Sequence, residues 1–488
     1  MPAFIDRHRE LGELNTLIEN PRRAEFVLTY GRRRVGKTTL LTHWAQASGR
    51  PFLYWVARQE TAEATRQSLA RALWRWAYPA VGEVEPPRFA SWEHLFEQLV
   101  RMIGDEPVII VLDEFSHAAE TDSSLPSHVQ VLWDQHLQHR AGTILVLAGS
   151  HIGMMVDLQA INAPLYQRFT AQLPINPLPY AALSAFFPRY PADERVFAYA
   201  VLGGIPAYLQ AFDPDQNVSQ NIRRHLFQSI GMFRSDPLLL ISELVSRTNV
   251  YTSVLSAIAM GAHTPQEIAT RAGLVPSNLD PYLKQLQKLG LVERRLPALI
   301  PPDDRPTTTR SRYHLRDPYL RFYFRFIEPH LESIELDLVD ALWDELHDQV
   351  RAFVGATVFE ELSREWVLAQ ARARRLPFAP EIVGSHWSGQ VQIDVAAINW
   401  PKKQLLIGEC KWGKDGVDLA TVRELLEKEA KVREELPEDG QDWTVHYAFF
   451  SRAGFTAEAR DRALAERAIL VDLPTLDTDL LAASPTDR

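Results

Sequence analysis

The sequence of 488 residues contains a single cysteine, Cys410. One cysteine excludes an internal network of disulfides and is typical of a protein in a reducing cytoplasm. The chain starts with MPAFIDRHRE, which is charged and lacks the apolar segment of a secretory signal. Its longest apolar runs, such as PVIIVL, suffice for a strand but are far too short to cross a bilayer. We therefore expect a cytoplasmic protein that does not enter a membrane.

Basic residues are in the minority, since 52 Lys and Arg stand against 62 Asp and Glu, a net charge of −10. This balance excludes a generally basic nucleic-acid coat, although a local basic patch would still suffice for binding. The sequence also lacks internal repeats and long low-complexity tracts. Its length and its 46% of hydrophobic residues predict a globular protein of about two to four domains.

A phosphate-binding loop lies near the start of the chain. The segment AEFVLTYGRRRVGKTTLLTHWA predicts a strand, a loop and a helix, and residues 31–38 match G-x-x-x-x-G-K-T in full. A chance match would lack the strand and the helix. Lys37 is expected to reach the β- and γ-phosphates, and Thr38 is expected to bind Mg²⁺. The expected ATP-binding residues of the loop are Gly31, Arg32, Arg33, Arg34, Val35, Gly36, Lys37, Thr38 and Thr39.

Two further strands are expected to end beside this loop. EPVIIVLDEF predicts a buried parallel strand that ends at Asp113, which would hold Mg²⁺, and Glu114 would then orient and deprotonate the attacking water. Without the phosphate loop, the same pattern would equally fit a strand ending in a solvated acidic turn. TILVLAGS ends in Ser150, which either contacts the γ-phosphate or caps the strand. Arg168 is a candidate for contact with phosphate or a neighbouring subunit, or else an ordinary surface arginine.

FIDRHREL, GRRRVGKTTLL, VLDEF, LAGSHIGMM, PLYQRFT and GGIPAYL follow one another in this order. Together they resemble the archaeal-type ATPase family of the AAA+-related signal-transduction ATPases with numerous domains. The resemblance implies an α/β P-loop core with a parallel sheet (residues 1–175), a helical lid (176–235) and a winged helix (236–330). It also implies that Arg7 and Glu10 lie near the adenine side of the nucleotide.

The middle of the chain has the pattern of a winged helix. TPQEIATRAG and NLDPYLKQLQKLG predict two helices joined by a turn, and the segments from LVERRLPALIPP to RSRYHL predict the wing. Residues 280–326 carry ten Lys and Arg but five Asp and Glu, so this segment is +5 while the rest of the chain is −15. DNA contact and internal packing are both open for it. The candidate nucleic-acid contacts are Lys284, Lys288, Arg294 and Arg295. For the aromatic stripe RDPYLRFYFRFIEPH we prefer a buried face with extended arginines to base stacking.

The last segment, residues 356–488 after a linker helix at 331–355, carries a second set of acidic residues. In the strand QLLIGECKWG, Glu409 and Lys411 share one face and Cys410 takes the other, as a small core residue. Asp394 lies in the preceding strand, and either Glu360 or Glu361 on the helix before it supplies another acid. Clustered carboxylates next to a lysine suit a hard divalent cation. A surface ion pair fits less well, because the strand is apolar.

This order resembles the PD-(D/E)xK nuclease superfamily, in the variant often fused behind these ATPases, with VGSHWSGQVQIDVAAIN and IGECKW as the matching residues. The resemblance implies a restriction-endonuclease-like α/β domain with Asp394, Glu409 and Lys411 as catalytic residues. We take Glu361, Asp394 and Glu409 as the expected metal ligands, with Glu360 as the alternative helical acid.

Together, these patterns predict an ATPase whose nucleotide state controls a Mg²⁺-dependent nuclease-like domain acting on DNA. The alternative is a nucleotide-switched signalling ATPase that binds DNA or protein through a non-cleaving nuclease-like domain. The expected cofactors are ATP and Mg²⁺. The expected partners are DNA and possible further copies of the chain or another protein.

Overall fold

A computed structural model describes residues 4–19, 22–80, 85–228, 233–245 and 247–483. The chain forms two compact units. The first contains the residues up to Leu178 together with Ile205–Ala207, and the second contains Pro179–Gly204 and the described residues from Tyr208 onward. The predicted division into five segments is finer than these two units and stays a prediction.

The first unit is built on a parallel sheet of five strands. The strands are β1 (Glu25–Tyr30), β2 (Phe52–Val56), β3 (Ile109–Asp113), β4 (Ile144–Gly149) and β5 (Ala171–Pro174). Their order is β2-β3-β4-β1-β5, and all pairs are parallel. Strands β3 and β4 are buried along their whole length, as continuous apolar runs in a sheet covered on both faces require. The predicted α/β class with a parallel sheet is confirmed.

Helices cover this sheet. They are α1 (His8–Glu19), α2 (Lys37–Ala47), α3 (Ala62–Ala77), α4 (Trp92–Ile103), α5 (Phe115–Thr121), α6 (Leu125–Leu132) and α7 (Ile152–Asp157). The side chains of Thr61 and Ser91 accept hydrogen bonds from the backbone at the starts of α3 and α4, which satisfies part of each exposed helix end. Large side chains such as Trp92 and Phe96 fill the core against the strands.

The second unit begins with short helices and a helix–turn–helix. Its elements up to the wing are α8 (Leu183–Phe186), α9 (Ala192–Leu202), α10 (Pro206–Leu209, shared with the first unit), α11 (Val218–His225), α12 (Asp236–Leu244), α13 (Thr248–Ala259), α14 (Pro265–Ala272), α15 (Asp280–Lys288), β6 (Val292–Arg295) and β7 (Arg312–Leu315). Strands β6 and β7 pair antiparallel as a two-stranded wing. Helix α14 starts with a capping box between Thr264 and Glu267 and ends at Gly273, which is left-handed with φ 68°.

The remainder of the second unit is a mixed sheet with flanking helices. The helices are α16 (Pro318–Phe322), α17 (Leu331–Glu335), α18 (Val339–Val354), α19 (Glu360–Arg372), α20 (Leu419–Glu434), α21 (Ala457–Ala465) and α22 (Leu473–Ala482). The strands are β8 (Ile382–Trp387), β9 (Gln392–Asn399), β10 (Gln404–Lys411), β11 (Thr444–Ser451) and β12 (Ile469–Asp472). They follow the order β12-β11-β10-β9-β8, antiparallel from β8 to β10 and parallel from β10 to β12. A C-terminal sheet therefore exists, as predicted.

Two sequence expectations about burial are confirmed in this unit. The apolar face of the second predicted helix is buried, as is the aromatic stripe of residues 319–327. In addition, Asp477 on α22 accepts hydrogen bonds from Tyr180 at 2.6 Å and from Arg195 Nε at 3.1 Å. This buried ion pair connects the short N-terminal helices of the unit to its last helix.

Candidate functional site

The phosphate loop lies between β1 and α2, and its shape depends on glycine. Gly36 has a φ of 96°, in the left-handed region that glycine tolerates best. A Cβ at Gly31 would come within 2.3 Å of the carbonyl oxygen of Ile175, so a side chain there would displace the backbone. Pro206, from the GGIP motif, lies against the loop, since a Cβ on Gly36 would meet its Cγ at 3.8 Å. The backbone is thus shaped to approach a phosphate closely.

Lys37 begins α2 and is buried. Its Nζ donates hydrogen bonds to the carbonyl of Gly31 at 3.0 Å and to Ser150 Oγ at 2.9 Å. Burial lowers the pKa of Lys37 below its ordinary value, while the charges of Glu114 and Asp113 oppose that shift. Its ammonium therefore lies inside the loop with neutral oxygen partners that a phosphate could replace.

Thr38 and Asp113 lie together on the other side of this lysine. Thr38 Oγ1 donates to Asp113 Oδ2 at 2.6 Å, and Tyr54 OH donates to the same oxygen at 2.7 Å. Asp113 is fully buried. A hydroxyl next to a carboxylate is a donor set that suits Mg²⁺, because this cation prefers hard oxygen ligands. Tyr54 was not predicted from the sequence, because no motif marks it. The register of β2 against β3 brings it to Asp113.

Ser150 connects the lysine to the expected catalytic base. Its Oγ donates to Glu114 Oε1 at 2.6 Å, and its backbone N–H donates to Glu114 Oε2 at 3.1 Å. Strand β4 lies between β1 and β3, so its end falls between the phosphate loop and the Asp113–Glu114 turn. Glu114 itself is left-handed, with φ 49°, a backbone conformation that non-glycine residues often adopt at functional sites.

Arg7 braces the loop from outside. It is 5% exposed, and it donates to Glu10 at 2.7 Å, to the carbonyl of Asn176 at 2.7 Å and to the carbonyl of Val35 at 2.8 Å. The pair Arg7–Glu10 thus orders the backbone next to the phosphate loop, and its expected place near adenine stays a prediction. Arg168 is held by Asp134 through Nε and NH2 at 2.9–3.0 Å.

The second constellation lies on β9 and β10. Lys411 Nζ donates to Glu409 Oε1 at 2.8 Å, so the two side chains share one face as predicted. Lys428, on α20, donates to Glu409 Oε2 at 2.9 Å. Glu409 is 6% exposed, which excludes the surface ion pair. Burial acts to lower the pKa of Lys411, but the hydrogen bond and charge of Glu409 raise it above its ordinary value.

Asp394 lies next to this pair. Its Oδ2 accepts a hydrogen bond from the backbone N–H of Cys410 at 3.0 Å. Burial, followed by the charge of Glu409, raises the pKa of Asp394 to about 6. A cation between the two carboxylates would relieve the repulsion that the charge of Glu409 exerts on Asp394, so the donor chemistry of Asp394 and Glu409 fits a divalent metal. Cys410 turns away and packs with the apolar core, as expected.

The two consecutive acids of α19 have different surroundings. Glu360 shares Arg364 with Asp394, since Arg364 NH1 lies 3.4 Å from Glu360 Oε2 and donates to the Asp394 carbonyl at 2.8 Å. Burial, then the charge of Asp394, raises the pKa of Glu360 to about 8. The structure therefore brings Glu360 near Asp394, where the sequence left Glu360 and Glu361 open.

Glu361 instead pairs with arginines. Arg295 NH2 lies 2.6 Å from Glu361 Oε1, and Arg321 NH2 donates to Oε2 at 3.0 Å. Although burial opposes it, Arg321 and Arg295 hold the pKa of Glu361 at about 2. The expected role of Glu361 as a metal ligand stays a prediction, and this pairing disfavours it.

The residues predicted to contact nucleic acid also differ in their surroundings. Lys284 is exposed and paired with Asp280, and Arg294 is exposed with one hydrogen bond to the carbonyl of Thr308. Lys288 ends α15. Arg295, in contrast, is committed to Glu361 and Glu293, so its guanidinium is not presented to a duplex. These contacts stay predictions, and the structure disfavours only the one at Arg295.

Among the described residues, no group of three or more His, Cys, Asp and Glu side chains is arranged to hold a metal. Asp394 and Glu409 therefore do not belong to such a group, and a cation bound to them would need further ligands. None of the helices in the described ranges combines the length and apolar character needed to cross a bilayer.

Comparisons with known proteins identify an ATPase domain in the part of the chain that carries the phosphate loop. Residues 4–212 match a family described as an ATPase domain predominantly from Archaea. Residues 323–431 match archaeal and bacterial proteins of unknown function. An uncharacterised protein of Methanocaldococcus jannaschii is 30% identical over 412 residues, which cover 84% of this chain and 87% of that protein.

Solved structures give weaker likenesses. A Walker-type ATPase of Pyrococcus abyssi is 19% identical with a TM-score of 0.48, over 66% of this chain and 96% of the other. The ORC2 protein of Aeropyrum pernix is 15% identical with a TM-score of 0.43, over 70% and 95%.

Proposed function

This chain belongs to the family of its Methanocaldococcus relative, and because residues 4–212 match an ATPase domain found predominantly in Archaea, we propose that it binds ATP with Mg²⁺ and hydrolyses it. The observation that carries the proposal is the hydrogen-bonded chain from Lys37 through Ser150 to Glu114. It connects a phosphate-binding ammonium to a carboxylate through one hydroxyl.

Each residue has a defined part in this proposal. The backbone of the loop and Lys37 bind the phosphates, and Thr38 and Asp113 would hold Mg²⁺, which neutralises phosphate charge when bound. Glu114 orients the attacking water and takes its proton, because its carboxylate is fixed by both hydrogen-bonding groups of Ser150. Tyr54 positions Asp113 through its hydroxyl.

Substitutions at two positions separate binding from hydrolysis. Lys37→Ala is expected to weaken nucleotide binding. Glu114→Gln is expected to keep binding and lower turnover by about 10²–10⁴-fold, the range of a lost general base. Fluorescent-nucleotide binding and phosphate release measure the two effects. Glu120→Gln on α5 is the matched control, since Glu120 is exposed. Normal turnover in Glu114→Gln would contradict the assignment.

For the second constellation we propose Mg²⁺-dependent cleavage of phosphodiesters in DNA. The supporting observation is that Asp394, Glu409 and Lys411 lie on adjacent strands, with the Lys411 ammonium 2.8 Å from Glu409. Asp394 and Glu409 would hold the cation, with Glu360 as the helical acid, and the bound cation polarises a phosphate oxygen. Lys411 is protonated next to Glu409 and stabilises the negative charge that develops on the phosphate.

A cleavage assay tests this second proposal. Plasmid and single-stranded DNA are incubated with wild type, Lys37→Ala and Asp394→Asn, with Mg²⁺ or Mn²⁺ and with or without ATP. Asp394→Asn is expected to abolish cleavage, and Asp415→Asn, on an exposed residue, is expected to leave it unchanged. A loss of ATP dependence in Lys37→Ala would support control of cleavage by the nucleotide state. Cleavage that survives Asp394→Asn refutes the site.

One observation favours the alternative of a non-cleaving domain. Both oxygens of Glu409 accept from lysines, and Glu361 is held by two arginines. A protein that switches between nucleotide states and only binds DNA or protein would keep such pairs. DNA binding measured without divalent metal, combined with no cleavage under any condition, is the outcome that this alternative predicts.

A further inference from the structure

A cavity of about 530 Å³ lies inside the second unit, between the wing and the C-terminal sheet. We propose that this cavity binds a single nucleic-acid strand, whose phosphates contact Arg312 and Arg325 next to Asp394. The inference rests on the proposed phosphodiesterase function and names the substrate class of that site. The walls of the cavity include residues of β7, of α19, of β9 and of the aromatic segment that follows α16.

The charges around the cavity are not balanced. Four arginines line it, Arg295, Arg312, Arg321 and Arg325, together with the acids Glu360, Glu361 and Asp394. Glu361 pairs with Arg295 and Arg321. Within the described ranges, no carboxylate lies within 4.0 Å of the guanidinium of Arg312 or Arg325. These two positive charges are available to an anion.

The side chains of these two arginines contact uncharged groups. Arg312 stacks on the ring of Trp387, with its Cζ 4.8 Å from the centroid, and Arg325 NH1 lies 3.8 Å from the sulfur of Met260. Such contacts position a guanidinium but leave most of its five donors unused. A phosphodiester, which presents two acceptor oxygens with one negative charge, matches those donors.

Two residues of the cavity walls carry a buried polar atom without a hydrogen-bond partner. Arg321 Nε and His386 Nδ1 have no hydrogen-bond partner in the part of the chain that the structure describes. His386 is only 1% exposed. Buried polar groups without a partner are rare in native proteins and are often satisfied by a bound group. Both side chains line this cavity, and the other ring nitrogen of His386 lies 3.3 Å from Glu435.

The size of the cavity selects a single strand over a duplex. Its volume lies in the range of about 300–1,000 Å³ typical of pockets for small ligands. Duplex-binding proteins instead bury about 1,000–2,500 Å² of open surface. Phe353 also lines the walls and offers aromatic surface to an unstacked base. A strand end or a single-stranded stretch fits, with its backbone carried to Asp394.

The test measures binding without cleavage. Fluorescence anisotropy with a short labelled oligothymidine and a hairpin duplex of the same length is recorded in EDTA over a series of salt concentrations. Wild type is expected to prefer the oligothymidine. The double variant R312A/R325A is expected to bind it at least tenfold more weakly. The slope of log K against log salt should fall by about 1.4, because each lost phosphate contact contributes about 0.7.

Control variants separate this effect from misfolding and from general charge. R189A/R462A removes two exposed arginines of the same unit and is expected to bind like wild type. R312K/R325K retains the charges and is expected to restore most of the salt slope. A mere packing role for the arginines would leave the slope unchanged in both arginine variants.

Three results overturn the inference: tighter binding of the duplex, wild-type affinity in R312A/R325A, or loss of binding in K284A/R294A instead. Equal competition by thymidine monophosphate overturns it too, since the cavity would then take a free nucleotide. Arginine-dependent strand binding with no cleavage refutes the phosphodiesterase but leaves the strand site. Plasmid cleavage that is unaffected in R312A/R325A refutes the strand site but leaves the phosphodiesterase.

Discussion

Replacing Ser150 by alanine isolates the connection between the phosphate-binding lysine and the catalytic carboxylate. The change removes one hydrogen bond of 2.9 Å from Lys37 and one of 2.6 Å to Glu114. The backbone N–H of residue 150 still donates to Glu114, and Lys37 still reaches the carbonyl of Gly31. Ser150→Ala should therefore loosen the carboxylate without collapsing the loop.

The magnitude follows from the charged partners. A hydrogen bond to a charged group contributes about 1.5–3 kcal/mol, and one such bond to Glu114 is lost. If that energy acts in the transition state, kcat for ATP hydrolysis falls roughly 10- to 150-fold, since each 1.36 kcal/mol is a factor of ten. Nucleotide affinity should change much less, because Glu114 acts on water and not on the bound phosphates.

Steady-state phosphate release and fluorescent-nucleotide binding measure the two quantities. Ser116→Ala is the matched control, because Ser116 is buried at the start of α5 and its Oγ has no hydrogen-bond partner among the described residues. Its turnover should stay close to that of wild type. Full activity in Ser150→Ala would show that Ser150 only ends a strand. An equal loss in Ser116→Ala would show that the region tolerates no change.

Two further predictions concern stability. Asp477→Ala leaves Arg195 and Tyr180 buried without their carboxylate, so it should lower the free energy of unfolding of the second unit by about 3–5 kcal/mol in denaturant titrations. The control Arg189→Ala breaks an exposed pair with Asp215 and should lower it by no more than about 1 kcal/mol. Similar losses in both variants would contradict the reasoning. Burial and, next, the charge of Arg295 lower the pKa of His314 to about 2 in the folded chain. Below about pH 6.5 the unfolded chain therefore binds more protons than the folded chain, and the free energy of unfolding should fall as the pH drops from about 6.5. His314→Gln should reduce this loss of stability in acid, as measured by thermal melting at a series of pH values. The control His139→Gln, at an exposed residue, should not reduce it. An unchanged pH profile in His314→Gln would count against the buried neutral imidazole.

Local patterns predicted most elements that carry the sites. The leucines of the second predicted helix, Leu279, Leu283, Leu286 and Leu289, are all buried, because helical spacing places them on one face. Strand β10 puts Glu409 and Lys411 side by side, because alternate residues of a strand share a face. Such inferences succeed where a period within one element decides which way a side chain points.

The choice between Glu360 and Glu361 could not be made that way. Adjacent residues on a helix point in directions about 100° apart, so Glu360 and Glu361 have different surroundings. Which one does so depends on how α19 packs, and on Arg295 and Arg321, which come from β6 and from α16. No pattern within α19 contains that information.

By itself, the sequence determined the phosphate loop, the acidic strand ends and the two faces of β10, since each follows from residue type and from spacing along one element. Only the tertiary structure decided that β4 lies between β1 and β3, which places Ser150 between Lys37 and Glu114. Only the tertiary structure also decided that arginines of the wing and the carboxylates line one cavity. Strand order and packing depend on contacts between residues far apart in the chain, and those contacts form only when the whole unit buries its apolar surface.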